Sequence, residues 1–333
     1  MKPTPLILIF IALHSCILAS AGPNPGGDKR IPVILDSDAN NELDDQFAIA
    51  YILLNEAVFD VRGITVNATF SGGGIDQHLK EAGRIMELCG WKGKAPLKPG
   101  AGKSFPEIVE TIDQPGFDGE AAVDFIIEEA LKPRSSPLVF IPVGKLTNIA
   151  LALKKAPEIA NRLRVVWLGS NYPEPGEYNQ INDTTALNFI LNTEVPFEIV
   201  TVRPGKASGT HAVKIRRKEV FFRLPGLGPY QEEAVMGRHG NAFNSFGDYA
   251  VDLFRNIEYL EEGCYRSLFD VAAVAIVKDA SWASVVEIPA PILVNGEWVE
   301  RPSNKREIKI WEYFDRDAII SDFFAVLEAN TAP

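Results

Sequence analysis

The chain has 333 residues, 46% of them hydrophobic and 23% charged, which supplies ample apolar material for a large core and excludes disorder, collagen and coiled coil as global descriptions. Its 33 basic and 44 acidic residues leave a net charge of −11, and no basic stripe offsets it. That balance argues against a nucleic-acid polymer as partner, because phosphate neutralisation needs such a stripe.

The first 21 residues combine Lys2, an apolar run from Leu6 to Leu18 and the small triplet Ala19-Ser20-Ala21, the pattern of a secretory signal peptide cleaved after Ala21. The run is shorter than the ~20 apolar residues of a spanning helix, and no other segment approaches that length. The expectation is an exported protein with no integral membrane span. Leu13-His14-Ser15-Cys16 offers an alternative, a lipoprotein signal with Cys16 acylated. Residues 22–30, GPNPGGDKR, then read as a linker, and residues 31–333 as one folded domain. Cys89 and Cys264 are too widely spaced for a disulfide framework or a metal motif, and are expected to be buried packing residues.

From residue 31 onward, apolar runs alternate with amphipathic stretches. Strands are predicted over 31–35, 61–66, 138–143, 164–168 and 197–202, and helices over 44–55, 76–89, 119–131, 146–155 and 183–192. This alternation implies an α/β fold whose mainly parallel sheet is covered by helices on both faces. Ligands bind such sheets at the carboxyl ends of the strands, so chemistry is sought there.

The first strand end carries the densest signal. Asp36, Asp38, Glu42, Asp44 and Asp45 fall between a buried strand and a helix, and carboxylates this close repel one another unless solvent separates them or a cation neutralises them. Oxygen-only ligands suit a hard cation, Ca²⁺ before Mg²⁺. The plainer alternative is a solvated acidic turn in which Asp44 caps the helix. An EF-hand fails, because Asn41 stands where Gly is required and Phe47 where the bidentate Glu belongs. A dehalogenase-type phosphatase also opens with strand-Asp-x-Asp, but Ala39-Asn40 does not continue its pattern.

With that loop, the chain resembles the inosine-uridine nucleoside hydrolase family, whose signature is strand-Asp-x-Asp-x-Gly-x-Asp-Asp followed by a helix. The resemblance implies a single α/β domain with a Rossmann-like core and a Ca²⁺-dependent N-ribohydrolase acting on nucleosides. By position, Asp38 resembles the general base and a metal ligand. Asp44 and Asp45 resemble further ligand and ribose-binding carboxylates, and Asp36 an orienting carboxylate at the substrate. Ala39 to Leu43 is two residues longer than the family's spacing.

The later strand ends extend the resemblance. GITVNATFSGGG places Phe70 where the family has a ribose-binding Asn, and makes Asn67 the nearest substitute. Gly72-Gly73-Gly74 lacks the Lys-Ser/Thr of a phosphate loop and reads as a close approach or a turn. In LVFIPVGKLTNIALAL the resemblance implicates the backbone carbonyl of Val143 as a metal ligand, with Lys145 in place of the family's Pro. In VVWLGSNYPEPGEYNQINDTTALNFIL it implies that Asn171, Glu177 and Asn179 contact ribose hydroxyls, with Asp183 opening a helix.

CYRSLFDVAAVAIV aligns Asp270 with the last metal-ligand Asp but puts Phe269 where some members have the His that protonates the leaving base. His239 is a candidate replacement acid, and Phe70, Phe269, Tyr178 and the Phe221-Phe222 pair are candidate aromatic faces for a base. Two alternatives stand beside the hydrolase: a secreted nucleoside- or ribose-binding protein that kept the cation site and lost turnover, and a dehalogenase-type phosphatase. Family resemblance also implies a homodimer or homotetramer.

Overall fold

In the computed structural model, residues 29–41, 43–257 and 264–331 are described; the signal segment with Cys16, most of the linker and Glu42 lie outside the described residues. Six apolar runs form the parallel strands β1 (Ile31–Ser37), β2 (Phe59–Val66), β3 (Leu97–Pro99), β4 (Leu138–Pro142), β5 (Leu163–Leu168) and β6 (Phe197–Val200). Glu307–Glu312 adds a parallel strand beyond β6, and Ser284–Pro289 closes that edge antiparallel to it. The order Ser284–Pro289, Glu307–Glu312, β6, β5, β4, β1, β2, β3 is the doubly wound arrangement expected of a Rossmann-like core. Connections reverse direction between β1 and β4, and this switch point opens a crevice at their carboxyl ends.

Side chains alternate along each central strand. Val33 and Leu35, Val139 and Ile141, and Val166 and Leu168 pack on one face; Ile34, Phe140, Val165 and Trp167 pack on the other. The first face is covered by α1 (Asp44–Leu54), α2 (Ile75–Leu88) and the helices Phe246–Arg255, Phe269–Lys278 and Arg316–Ala329. The second is covered by α3 (Phe105–Ile108), α4 (Glu120–Leu131), α5 (Thr147–Lys155) and, after the short α6 (Tyr178–Asn182), α7 (Thr184–Leu191).

Two expectations are corrected. The segment read as an amphipathic helix from 44 is α1, and all eleven of its residues are buried, because it lies between the sheet and a second layer of helices. Phe47 stacks on Phe323 with ring centroids 5.4 Å apart, in the middle of that second layer. Of the two cysteines only Cys89 is buried; Cys264 is exposed, at φ 58°, and both are free thiols.

Candidate active site

β1 ends on Asp36 and Ser37, and both turn into polar supports. Asp36 is fully buried and accepts hydrogen bonds from Thr65 Oγ1 at 2.6 Å, Asn148 Nδ2 at 2.8 Å and Asn67 Nδ2 at 3.1 Å. Burial pushes its carboxyl up to about 6 despite those donors. Asn148 also donates to the Val66 carbonyl and accepts from Ala101 N, so one side chain ties the ends of β1 and β2 to the following loop. Asp36 and Asn67 therefore stand behind the cavity rather than on its wall, and the expectation that they contact substrate gives way to a supporting role.

The cavity itself opens where strand ends meet helix starts. Its volume is about 210 Å³, and Asp38, Asp44, Asp45, Val143, Asn171, Glu177, Asn179 and Asp270 all line it. Asp38 accepts from Thr69 Oγ1 at 2.5 Å, while its carbonyl accepts from Asn41 N at 2.8 Å. Asp44 and Asp45 form the first turn of α1, and Asp270 lies in the first turn of Phe269–Lys278. The positive ends of two helices thus face the carboxylates, and the backbone N–H groups of Phe269 and Asp270 partly offset the burial of Asp44. Ser37 Oγ donates to Asp45 at 2.6 Å.

These donors do not cancel the cost of burial. Asp44 is pushed up to about 7, first by burial and then by the charge of Asp38. Asp38 is raised by burial, and Asp45 and Asp270 are raised well above the usual carboxylate range by burial and by their acidic neighbours. Oxygens of Asp44, Asp45 and Asp270 lie within 4.8 Å of one another. A buried, oxygen-only cluster with this much uncompensated charge fits a hard divalent cation. Asp38 and Val143 border the same cavity.

The opposite wall comes from the loop after β5. Glu177 caps α6, accepting from Asn179 N and Gln180 N, both at 3.0 Å, and from Ser170 N at 2.8 Å. With three of a carboxylate's roughly four acceptor sites used, little capacity remains for a sugar hydroxyl. Asn179 spends both amide protons on the carbonyls of Val143 and Leu168, at 2.8 and 3.1 Å, which leaves its Oδ1 for a ligand. Asn171 donates to the Gly176 carbonyl and accepts from Arg203 N at 2.9 Å. Asp183 faces away: it caps α7 through Ala186 N and accepts from Thr147 Oγ1 and Phe105 N.

The remaining candidates are distributed unevenly. Tyr178 and Phe269 line the cavity. Phe70 is 73% exposed and meets the Tyr178 ring edge-on at 6.2 Å, while Phe221 and Phe222 lie away from the cavity. His239 lines a neighbouring cavity, with Nδ1 2.8 Å from Asp252 Oδ2. Lys145 is buried and donates to the carbonyls of Gly102 and Lys103. Asn41, Leu168, Val202 and Pro204, none singled out from sequence, also line the site. Val202 and Pro204 follow β6, whose position in the sheet is the signal that points to them.

Gly144 follows Val143 at the switch point. A Cβ there would lie 2.8 Å from the Asn67 amide and 2.9 Å from Asp38 Oδ1. Gly144→Ala is therefore expected to lower kcat by about tenfold or more by displacing Asp38, with a small loss of Tm; steady-state kinetics beside thermal melting checks this.

The family model described as inosine-uridine preferring nucleoside hydrolase matches residues 33–321. The chain belongs to this family. An inosine-uridine preferring nucleoside hydrolase of Leishmania major is 26% identical over 187 residues, 54% of this chain and 54% of that protein. A non-specific ribonucleoside hydrolase of Klebsiella pneumoniae is 29% identical over 180 residues, 47% of this chain and 56% of its own length. The aligned region thus spans little more than half the length of these curated relatives. In fold, a purine-preferring ribonucleoside hydrolase from Gardnerella vaginalis superposes with TM-score 0.67 at 20% identity, over 90% of this chain and 98% of that one.

Ala39 to Leu43, two residues longer than the family's spacing, places Asn41 on the cavity wall and turns Asn40 toward Gly72 and His78. Asn40 Nδ2 donates to the Gly72 carbonyl at 2.7 Å, and Asn40 N donates to buried His78 Nδ1 at 3.2 Å. Gly72, at φ +83°, lets this bulge approach: a Cβ there would stand 2.7 Å from the His78 ring and 2.8 Å from the Asn40 backbone. The triplet thus serves as a docking turn, and Asp44 and Asp45 still open α1.

Proposed function

We propose that this nucleoside hydrolase-family chain is an N-ribohydrolase that cleaves the N-glycosidic bond of nucleosides and uses Ca²⁺ in preference to Mg²⁺. The observation carrying the proposal is the Asp44, Asp45 and Asp270 cluster beside Asp38, in a cavity at the switch point of a family fold. Asp44, Asp45, Asp270, Asp38 and the Val143 carbonyl would hold the cation. Bound there, it supplies Lewis acidity to water and to sugar hydroxyls.

The chain's own residues do the rest. Asp38, oriented by Thr69, accepts a proton from the attacking water. The Asn179 Oδ1 sets the sugar's orientation, Asn171 and Glu177 fix the wall around it through their backbone hydrogen bonds, and the carboxylate-rich floor stabilises the positive charge that develops on the ring. Leu168, Val202 and Phe269 exclude bulk water. Phe269 carries no proton to give, so the leaving base is expected to depart without a general acid at that position. Phe269→His is expected to raise kcat about tenfold and add an alkaline-side fall to the rate profile, as the new acid loses its proton, a modest share of what a well-placed acid provides; a pH–rate comparison of the two proteins checks this.

Phe269 is also the observation that favours the second function, a nucleoside- or ribose-binding protein without turnover. Free ribose released from a panel of purine and pyrimidine nucleosides, with and without chelator, separates the two. Chelator-sensitive release supports the hydrolase; cation-dependent binding with no ribose supports the binding protein. We further propose export through the N-terminal segment, or anchoring through Cys16, and assembly as a homodimer or homotetramer; fractionation of the native host and light scattering test these. No helix among the described residues is long and apolar enough to cross a membrane.

A further inference from the structure

A cavity of about 210 Å³ accommodates a sugar ring but falls short of the ~300–1,000 Å³ usual for small-molecule sites, so a leaving group must extend beyond it. A second cavity, of about 560 Å³, shares Asn41 with the first and is lined by Ser71, Arg238, His239 and Arg266 among others. Its wall is built rather than loose. Arg84 Nε donates to the Met236 carbonyl at 2.6 Å, Gly237 N to the Asn241 carbonyl at 2.7 Å, and buried Asp252 holds both His239 and Asn241.

Arg238, pinned between these anchors, is half-buried and forms no ion pair among the described residues. Arg238 therefore places a cation in the second cavity, which meets the carboxylate-lined first cavity at Asn41.

We propose that the second cavity receives the leaving group, and that Arg238 selects N-ribosyl compounds whose leaving group carries a carboxylate. This rests on the hydrolase proposal for the adjoining cavity. A guanidinium offers a planar fork that engages a carboxylate through two parallel hydrogen bonds, and it offsets the repulsion such a group meets near Asp38 and Asp45. A neutral base gains neither effect.

Orotidine and uridine differ by one carboxylate on the base and form the matched probe. Their kcat/KM values, and their Kd values by calorimetry with Ca²⁺ present, are compared in the wild-type protein, Arg238→Gln and Arg238→Lys, with thermal melting to confirm folding. The expected result is an orotidine preference of at least tenfold that shrinks ten- to a hundredfold in Arg238→Gln, the worth of a charge-assisted pair, and is partly kept by Arg238→Lys. No preference in the wild type, or one that folded Arg238→Gln retains, overturns the proposal, as does failure to bind either compound. Charge-selective binding without ribose release would remove the hydrolase proposal and keep only the selectivity of Arg238 for a carboxylate-bearing ribosyl compound; ribose release without charge selectivity would remove the Arg238 proposal alone.

Discussion

Asp38→Asn is expected to lower ribose release by about 10²- to 10⁴-fold, the range attributed to a general base. The substitution is nearly isosteric, and the retained amide oxygen can still accept from Thr69 Oγ1, so the loop keeps its shape. What disappears is the basic oxygen and one negative charge. Asp38 raises the proton affinity of Asp44, Asp45 and Asp270, so its neutralisation relieves repulsion in the metal-free protein. Stability is therefore expected to hold or rise while kcat falls. Single-turnover kinetics beside thermal melting measures both, and a loss of less than tenfold would remove Asp38 from the role of base.

The second large effect concerns cation and pH together. Burial lifts Asp36 to about 6 and Asp44 to about 7, and holds Asp45 and Asp270 higher than ordinary carboxylates. The folded metal-free state thus binds more protons than the unfolded chain, whose Asp groups titrate near 3.9. The contribution of these groups is fully present below about pH 4 and is lost as pH rises through 6 to 7. In chelator, Tm is expected to fall across that interval. Added Ca²⁺ competes with those protons, so its stabilisation is expected to be small at pH 5 and large at pH 8. At a thousand times Kd it would reach about 5–10 °C. A calcium shift independent of pH would show that the cation binds elsewhere.

Much of the site is legible in the sequence. A buried strand running into Asp36-x-Asp38, followed by two adjacent Asp residues at a helix start, carries its chemistry in its composition, and strand alternation dictates where such residues have to lie. Less legible is anything decided by neighbours distant along the chain. Asn67 looks like a sugar contact in one dimension, yet Asp36 pairs in register with Thr65 on the adjacent strand, and that alignment turns the Asn67 amide toward Asp36. Val202 and Pro204 are apolar and announce nothing until β6 is placed beside β5. The edge strands Ser284–Pro289 and Glu307–Glu312 are also hard to read, since the outermost is largely exposed and lacks the continuous apolar run of the central strands. Arg238 stands out least of all, because its meaning is purely one of location.

A helix with no solvent-facing residue leaves evolution little room. Every position of α1 is occupied either by its acidic first turn or by packing on all sides, so sliding or rotating it by one residue would misplace the carboxylates and the core together. Length variation in this region has to be discharged before the helix begins. The turn that rests on Gly72 and His78 is where that happens: Asn40 is tied down there, while Asp44 and Asp45 keep their place at the start of the helix.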